Sequence, residues 1–235
     1  MSEVVARLHA HFREEVAAAA HAFYLWKGIN NIASGDRATF RGINEQALTW
    51  NTIAHSLQTT FFIAIGRLFD TDGDAFSIHA FLRGCIENIA EFDRPALCAR
   101  KLALSNGVDP DWLASYVANA YVPTVEDFRR LRGEASKHQA QYEAIYRLIR
   151  NQVFAHKYAG SMDSVQSLFG KTKISDIEQL LDFLYQVQEV VFQLFQNGVL
   201  RKIGDFQNSE ETLVVEDVGD LLQRLRIEPE EAHDA

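Results

Sequence analysis

At 235 residues with 47% hydrophobic side chains, the chain can bury a continuous core without help from disulfides or metals. No run of about 18 apolar residues occurs, and charges interrupt the opening MSEVVARLHAHFREE, which speaks against a membrane span or secretory signal and for a cytoplasmic protein. The net charge of -9 disfavours a nucleic-acid partner only until it is mapped, because residues 205–235 hold ten acids and two Arg whereas 125–173 hold nine bases and five acids.

Residues 2–27 carry Val5, Leu8, Phe12, Val16, Ala19, Phe23 and Trp26 at helical steps, and a helix ending near Gly28 is expected. His9, His11 and His21 within it lack metal-site spacing and read as solvated or packed side chains. After a loop at Ser34, Gly35 and Asp36, a second long helix is expected from Ile43 to Phe69. Its main stripe is Ile43, Ala47, Trp50, Ala54, Leu57, Phe61 and Ile65, with Ile53, Phe62 and Ile63 on other sides, the pattern of a helix central in a bundle. Asn51 and His55 are four apart on it and therefore neighbours; they either line a functional cleft or form a buried hydrogen-bonded pair.

Asp70-Thr71-Asp72-Gly73-Asp74 has the acids of a calcium loop, but Ala75 and Phe81 stand where that loop needs Gly and a bidentate Glu, so the segment reads as an exposed turn. Arg67 is expected to pair with Asp70, and Ser77 to cap a helix from Ile78 to about Phe92. Cys85 and Cys98 form no CxxC and are expected as buried free thiols. Asp93 before Arg94-Pro95, and Asp109 before Pro110, look like N-caps of two short helices separated by Asn106-Gly107. The second, DWLASYVANAY, has no base and cannot serve as a DNA-reading helix.

Thr124 and Asp127 form a capping box that opens a helix running to about residue 158, with a break near Gly133. A glycine-bounded loop follows, then a second capping box at Ser175 and Glu178 and a helix from Ile177 to Val199. ETLVVEDVGDLLQRLRI reads as a short extended piece and a last helix, and the acidic residues beyond Glu228 as a disordered tail. No repeat and no strand pattern able to build a sheet is present. The expected fold is an all-α up-and-down bundle, with a single domain over 1–204, a short helical insertion at 93–123 and an acidic segment at 205–235.

In the helix opened by Thr124, Tyr142, Ile145, Tyr146, Ile149 and Val153 recur at three- and four-residue steps and define a buried side. On a straight helix Arg150 and His156 flank that stripe about 120° apart and about 9 Å apart along the axis. They meet if the helix breaks before His156, or if a second copy packs against the stripe and one copy's Arg150 approaches the other's His156. The chain holds no GxxxxGK[ST], HExxH, GxSxG or GxGxxG, so P-loop, zinc-protease, serine-hydrolase and dinucleotide chemistry are disfavoured. What remains is an Arg/Asn/His set suited to metal-free RNA cleavage. A His near neutral pKa transfers protons, and a guanidinium braces two phosphate oxygens at once.

The stretch Tyr146 to His156 resembles the HEPN superfamily motif, an Arg, a polar residue directly after it and a His a few residues on; here these are Arg150, Asn151 and His156. INEQALTWNTIAHSLQTTFFIAIGRLFD, from Ile43 to Asp70, and SIHAFL, from Ser77 to Leu82, resemble the abortive-infection, AbiU-type branch. Together these cover roughly the middle half of the chain. The resemblance implies a metal-independent endoribonuclease of phage defence or a toxin, with His156 as general acid or base, Arg150 as phosphate clamp and Asn151 as orienting group. Arg147, Lys157, Asn51 and His55 are the expected RNA contacts. A two-fold homodimer is expected, because a symmetric interface unites Arg150 with His156 most simply; a cognate antitoxin protein is the expected partner, and no cofactor or metal is expected, since no ligand cluster of metal spacing occurs. Other members bind nucleotides or proteins without cleaving RNA, so the alternative is a non-catalytic helical module recognising a protein partner or a nucleotide.

Overall fold

The computed structural model describes residues 4–71, 76–105, 107–155, 167–170 and 172–225. Every regular element among them is helical: α1 (Val4–Gly35), α2 (Arg37–Glu45), α3 (Ala47–Leu68), α4 (Ile78–Glu87), a 3-10 turn (Ile89–Phe92), α5 (Arg94–Leu104) and α6 (Leu113–Asn119). α7 (Val125–Ile149) continues as a π-helical stretch (Arg150–Ala155), α8 (Ile174–Phe192) continues as a second one (Gln193–Asn197), and α9 (Glu210–Gln223) follows. The protein is thus an all-α helical bundle. No helix among the described residues is long and apolar enough to cross a membrane.

The chain divides into two compact units, one of Met1–Val16 and Ile65–Asn208, the other of Ala17–Ala64 and Ser209–Ala235. In the first, Phe12 stacks on Phe81 at 4.5 Å, and Phe92 packs against Phe128 at 5.1 Å and Phe195 at 5.5 Å. Leu180, Leu184, Val187 and Val191 line the buried face of α8 at helical spacing. Each such side chain contributes about 1.5–3 kcal/mol on burial. His9 is packed here too, its Nε2 3.1 Å from the Gln188 carbonyl, and burial lowers its pKa below the ordinary histidine value. Cys85 is buried and Cys98 half-buried, both free.

In the second unit Phe23 packs against Phe61 at 5.3 Å, and His21 Nε2 lies 2.9 Å from a Glu210 carboxylate oxygen. Gly28 does not stop α1, which runs on to Gly35. A Cβ on Gly28 would come 3.0 Å from Val218 Cγ1, so the glycine serves the close approach of α9.

Other boundaries also differ from the sequence expectation, each for a local reason. The second helix starts early, where Asp36 accepts from the Thr39 amide at 3.0 Å, and is divided at Gln46, whose amide donates to the Ile43 carbonyl three residues back at 3.1 Å. Only the last two turns of α3 are deeply buried, at Phe61, Phe62, Ala64, Ile65 and Leu68, while Leu48 near its start is 84% exposed. Arg67 pairs not with Asp70 but with Glu15, donating from Nε at 3.0 Å and Nη2 at 2.8 Å. Ser77 caps α4 as expected, yet the helix tightens into the 3-10 turn after Asn88. Asp93 caps α5, accepting from the Ala96 amide at 2.8 Å. Asp109 caps nothing, since α6 begins only after Trp112.

α7 passes Gly133 without a break. α8 opens after Lys173 without a side-chain cap, so Ser175 lies inside the helix and not at its cap. Its end is set by Gly198, whose φ of 58° and whose position against Ala120 Cβ, 2.7 Å from a would-be Cβ, both require glycine. Of the segment expected to be partly extended, Glu211 to Gln223 are helical, in α9. Residues 72–75, Asn106, most of the glycine-bounded loop and the tail beyond Leu225 lie outside the described residues.

Candidate functional site

α7 carries the site, and its start is fixed by side chains. Asp127 accepts from the Thr124 amide at 2.7 Å, the Thr124 hydroxyl at 2.9 Å and the Tyr121 hydroxyl at 2.8 Å, and it is ion-paired with Arg130. Burial alone would raise the carboxyl pKa, but these donors hold it below the usual carboxylate value. Further along α7, Tyr142, Tyr146 and Ile149 form the buried side that the periodicity requires. Phe69 stacks on Tyr142 at 5.5 Å, and the Tyr146 hydroxyl donates to the Lys173 carbonyl at 3.4 Å. The chain's own residues therefore occupy this stripe. A second copy cannot pack against it.

Helical winding changes at Arg150, where the π stretch begins. A π turn bonds i to i+5 and is wider than an α turn, so straight-helix angles do not apply within Arg150–Ala155. Such turns interrupt the regular ladder and are frequent at functional sites. Arg150 Nη1 donates to Asn151 Oδ1 at 2.8 Å, while Arg150 Nε is buried without a hydrogen-bond partner.

Beside this guanidinium lies a polar cavity of about 220 Å³. α7 and the π stretch contribute Tyr142, Glu143, Arg147, Arg150 and Asn151 to its wall; Gly66, Phe69, Asp70 and Thr71 close the other side. Gly66 allows the closeness: a Cβ there would stand 3.0 Å from Arg150 Nε and 3.2 Å from the Tyr142 oxygen. Burial pushes the Tyr142 phenol up to about 12, so it stays protonated across the physiological range. Glu143 accepts from Gln139 Nε2 at 3.0 Å, and Gln139 Oε1 lies 2.6 Å from His79 Nε2, a polar chain leading along α7 away from the cavity.

The structure brings Arg150, Asn151 and Arg147 to one cavity. His156 and Lys157 lie outside the described residues. Asn51 and His55 belong to the second unit and are exposed, so they do not form a buried pair. Gly66, Asp70, Tyr142 and Glu143 join the site without having been singled out for it. Gly66 alone carried a signal, since a glycine inside the apolar helical run IAIGRL costs about 1 kcal/mol relative to Ala and so marks a close approach.

The family model HEPN_AbiU2, described as AbiU2, matches residues 1–217. No curated protein and no solved structure matches the chain.

Proposed function

The chain belongs to the AbiU2 family of HEPN proteins, and from that premise we propose that it is a metal-independent endoribonuclease acting in phage defence or as a toxin. The observation that carries this reading is Arg150, a guanidinium at the wall of a polar cavity with Nη1 held by Asn151 at 2.8 Å and Nε buried without a hydrogen-bond partner. A buried donor left unpaired costs about 1–3 kcal/mol, which a phosphate oxygen seated in the cavity would offset. The resulting contact is charge-assisted and directional, as phosphate recognition needs.

In the proposed reaction the 2'-oxygen of a ribose attacks the adjacent phosphorus and the 5'-oxygen leaves, giving a 2',3'-cyclic phosphate and a 5'-hydroxyl. His156 moves the proton from the attacking oxygen or to the leaving one, and Arg150 stabilises the charge that builds on the phosphorane oxygens. Asn151 holds the guanidinium in its plane. Arg147, exposed at the cavity rim, and Lys157 contact flanking phosphates. A homodimer is the simplest assembly that supplies Arg150 and His156 to one site, and a cognate antitoxin protein would mask it.

The test is incubation of the purified protein with total RNA, with product ends read chemically. The expected outcome is cleavage leaving 2',3'-cyclic phosphate, unaffected by EDTA. Arg150→Ala and His156→Ala should each lower the rate by about 100-fold or more, and Asn151→Ala by less. Inhibition by EDTA, or full-rate cleavage by the double variant, would sink this assignment. Wild-type protein that binds RNA but never cuts it would favour the non-catalytic binding module.

A further inference from the structure

On α7 and the first residue of the π stretch that continues it, Arg132, Ser136, Gln139, Glu143, Arg147 and Arg150 follow one another at steps of three and four residues and fall within about 80° of the helix circumference. The stripe runs on the order of 27 Å from Arg132 to Arg150 at 1.5 Å per residue. Its far end opens into a second cavity, about 440 Å³, lined by His79 of α4 together with Arg129, Arg132, Gly133, Ser136 and Gln139 of α7. The bond from His79 to Gln139 and the bond from Gln139 to Glu143 join this cavity to the one at Arg150.

The two ends share a feature seen elsewhere among the described arginines only at the packed Arg100. Arg132 Nε, like Arg150 Nε, is buried without a hydrogen-bond partner. Arg129 stands beside it and is only loosely paired with Glu126 at 3.6 Å, both side chains being about two-thirds exposed. The single acid on the stripe, Glu143, is already bonded to Gln139. Two guanidinium-bearing cavities at opposite ends of one polar helix face are the arrangement a linear polyanion satisfies, because its charges recur along its length and one small anion cannot reach both.

We infer that the cavity of Arg129, Arg132, Ser136 and His79 is a second phosphate-binding subsite, which holds the backbone of the RNA strand engaged at Arg150. The inference rests on the ribonuclease reading and adds a substrate requirement to it. At about 3.4 Å per nucleotide of a stacked strand the two subsites are roughly eight nucleotides apart, and fewer for an extended strand. Strands too short to span them bind through the Arg150 cavity alone. Base identity matters little at the distal subsite, since guanidinium and hydroxyl groups there meet phosphate oxygens.

Gly133 gives a test that leaves the fold intact, because it is exposed and a Cβ built on it meets nothing within 4 Å. Labelled 2'-O-methyl oligo(U) strands of about 4 and about 16 nucleotides, which cannot be cleaved, would be titrated by fluorescence anisotropy at low salt. The wild type should bind the long strand at least about tenfold more tightly than the short one. Gly133→Glu and the double variant Arg129→Gln/Arg132→Gln should each remove most of that preference, and Gly133→Lys should increase it; none should change short-strand binding. Arg150→Ala should weaken both lengths. A length preference that none of the Gly133 and Arg129/Arg132 variants alters, with Arg150→Ala still weakening both strands, overturns the subsite alone. Arg150→Ala binding both strands like the wild type overturns the RNA reading of the first cavity, and this inference with it.

Discussion

Arg150 and Gly66 are best understood as a pair. The guanidinium reaches its position only because α3 presents no side chain at 66, where a Cβ would lie 3.0 Å from Nε and 3.2 Å from Cγ of Arg150. Replacing Gly66 by Ala has two opposed effects. Helix propensity favours Ala by about 1 kcal/mol, whereas the added methyl must displace either Arg150 or the rigid Tyr142 ring by a few tenths of an ångström. Arg150 is the one able to yield, since its chain is flexible and Tyr142 is stacked on Phe69. The expected outcome for Gly66→Ala is therefore a melting temperature at or slightly above wild type together with a loss of RNA cleavage of about tenfold, the effect of misplacing a charge-stabilising donor. Thermal melts and cleavage rates on the same preparations check it. A variant that melts far lower, or that cleaves at the wild-type rate, would mean that the glycine serves packing alone.

Among the elements, α7 was the most legible in the sequence. Thr124 and Asp127 announced its start, and the recurrence of Tyr142, Tyr146 and Ile149 announced its buried side, because caps and periodicity are local properties. Its end was not legible. Nothing in Arg150-Asn151-Gln152-Val153 distinguishes π from α winding, a difference of one residue in hydrogen-bond register that packing decides. The cavity was hidden for a similar reason: it joins α7 to Gly66, Asp70 and Thr71, and a helical wheel relates only residues of one helix. Gly28 misled because its partner Val218 is remote in sequence. The cap itself yields a prediction with a definite pH dependence. The folded-state pKa of Asp127 is lowered, so its contribution is present above the ordinary carboxylate value and is lost as pH falls through the folded value. Asp127→Ala should thus reduce stability to urea by about 1–2 kcal/mol at neutral pH, as the loss of a multiply bonded cap does, and the gap to wild type should close in strong acid. A gap that persists unchanged at about pH 2 would assign the loss to packing instead of charge.

At the scale of the whole molecule, the proposed ribonuclease site can be built from one chain or from two. The stripe of Tyr142, Tyr146 and Ile149 is buried within a single chain, so a symmetric partner, were one to pack on α7, would meet its exposed side, where Arg147 and the 44% exposed Leu148 lie. If Arg150 of one copy works with His156 of the other, the arrangement can be tested without knowledge of the contact. Arg150→Ala and His156→Ala preparations, each inactive alone, would be mixed, unfolded and refolded together. Random pairing makes about half the dimers mixed, and in each mixed dimer one site carries both substitutions while the other carries none. The mixture should then recover about a quarter of wild-type activity. Were both groups supplied by the same chain, every site in every dimer would carry one substitution and nothing would return. Recovery near a quarter therefore supports a site shared between copies. Absence of recovery, with dimers present by light scattering, would place the chemistry within one chain and leave the partner copy a structural role.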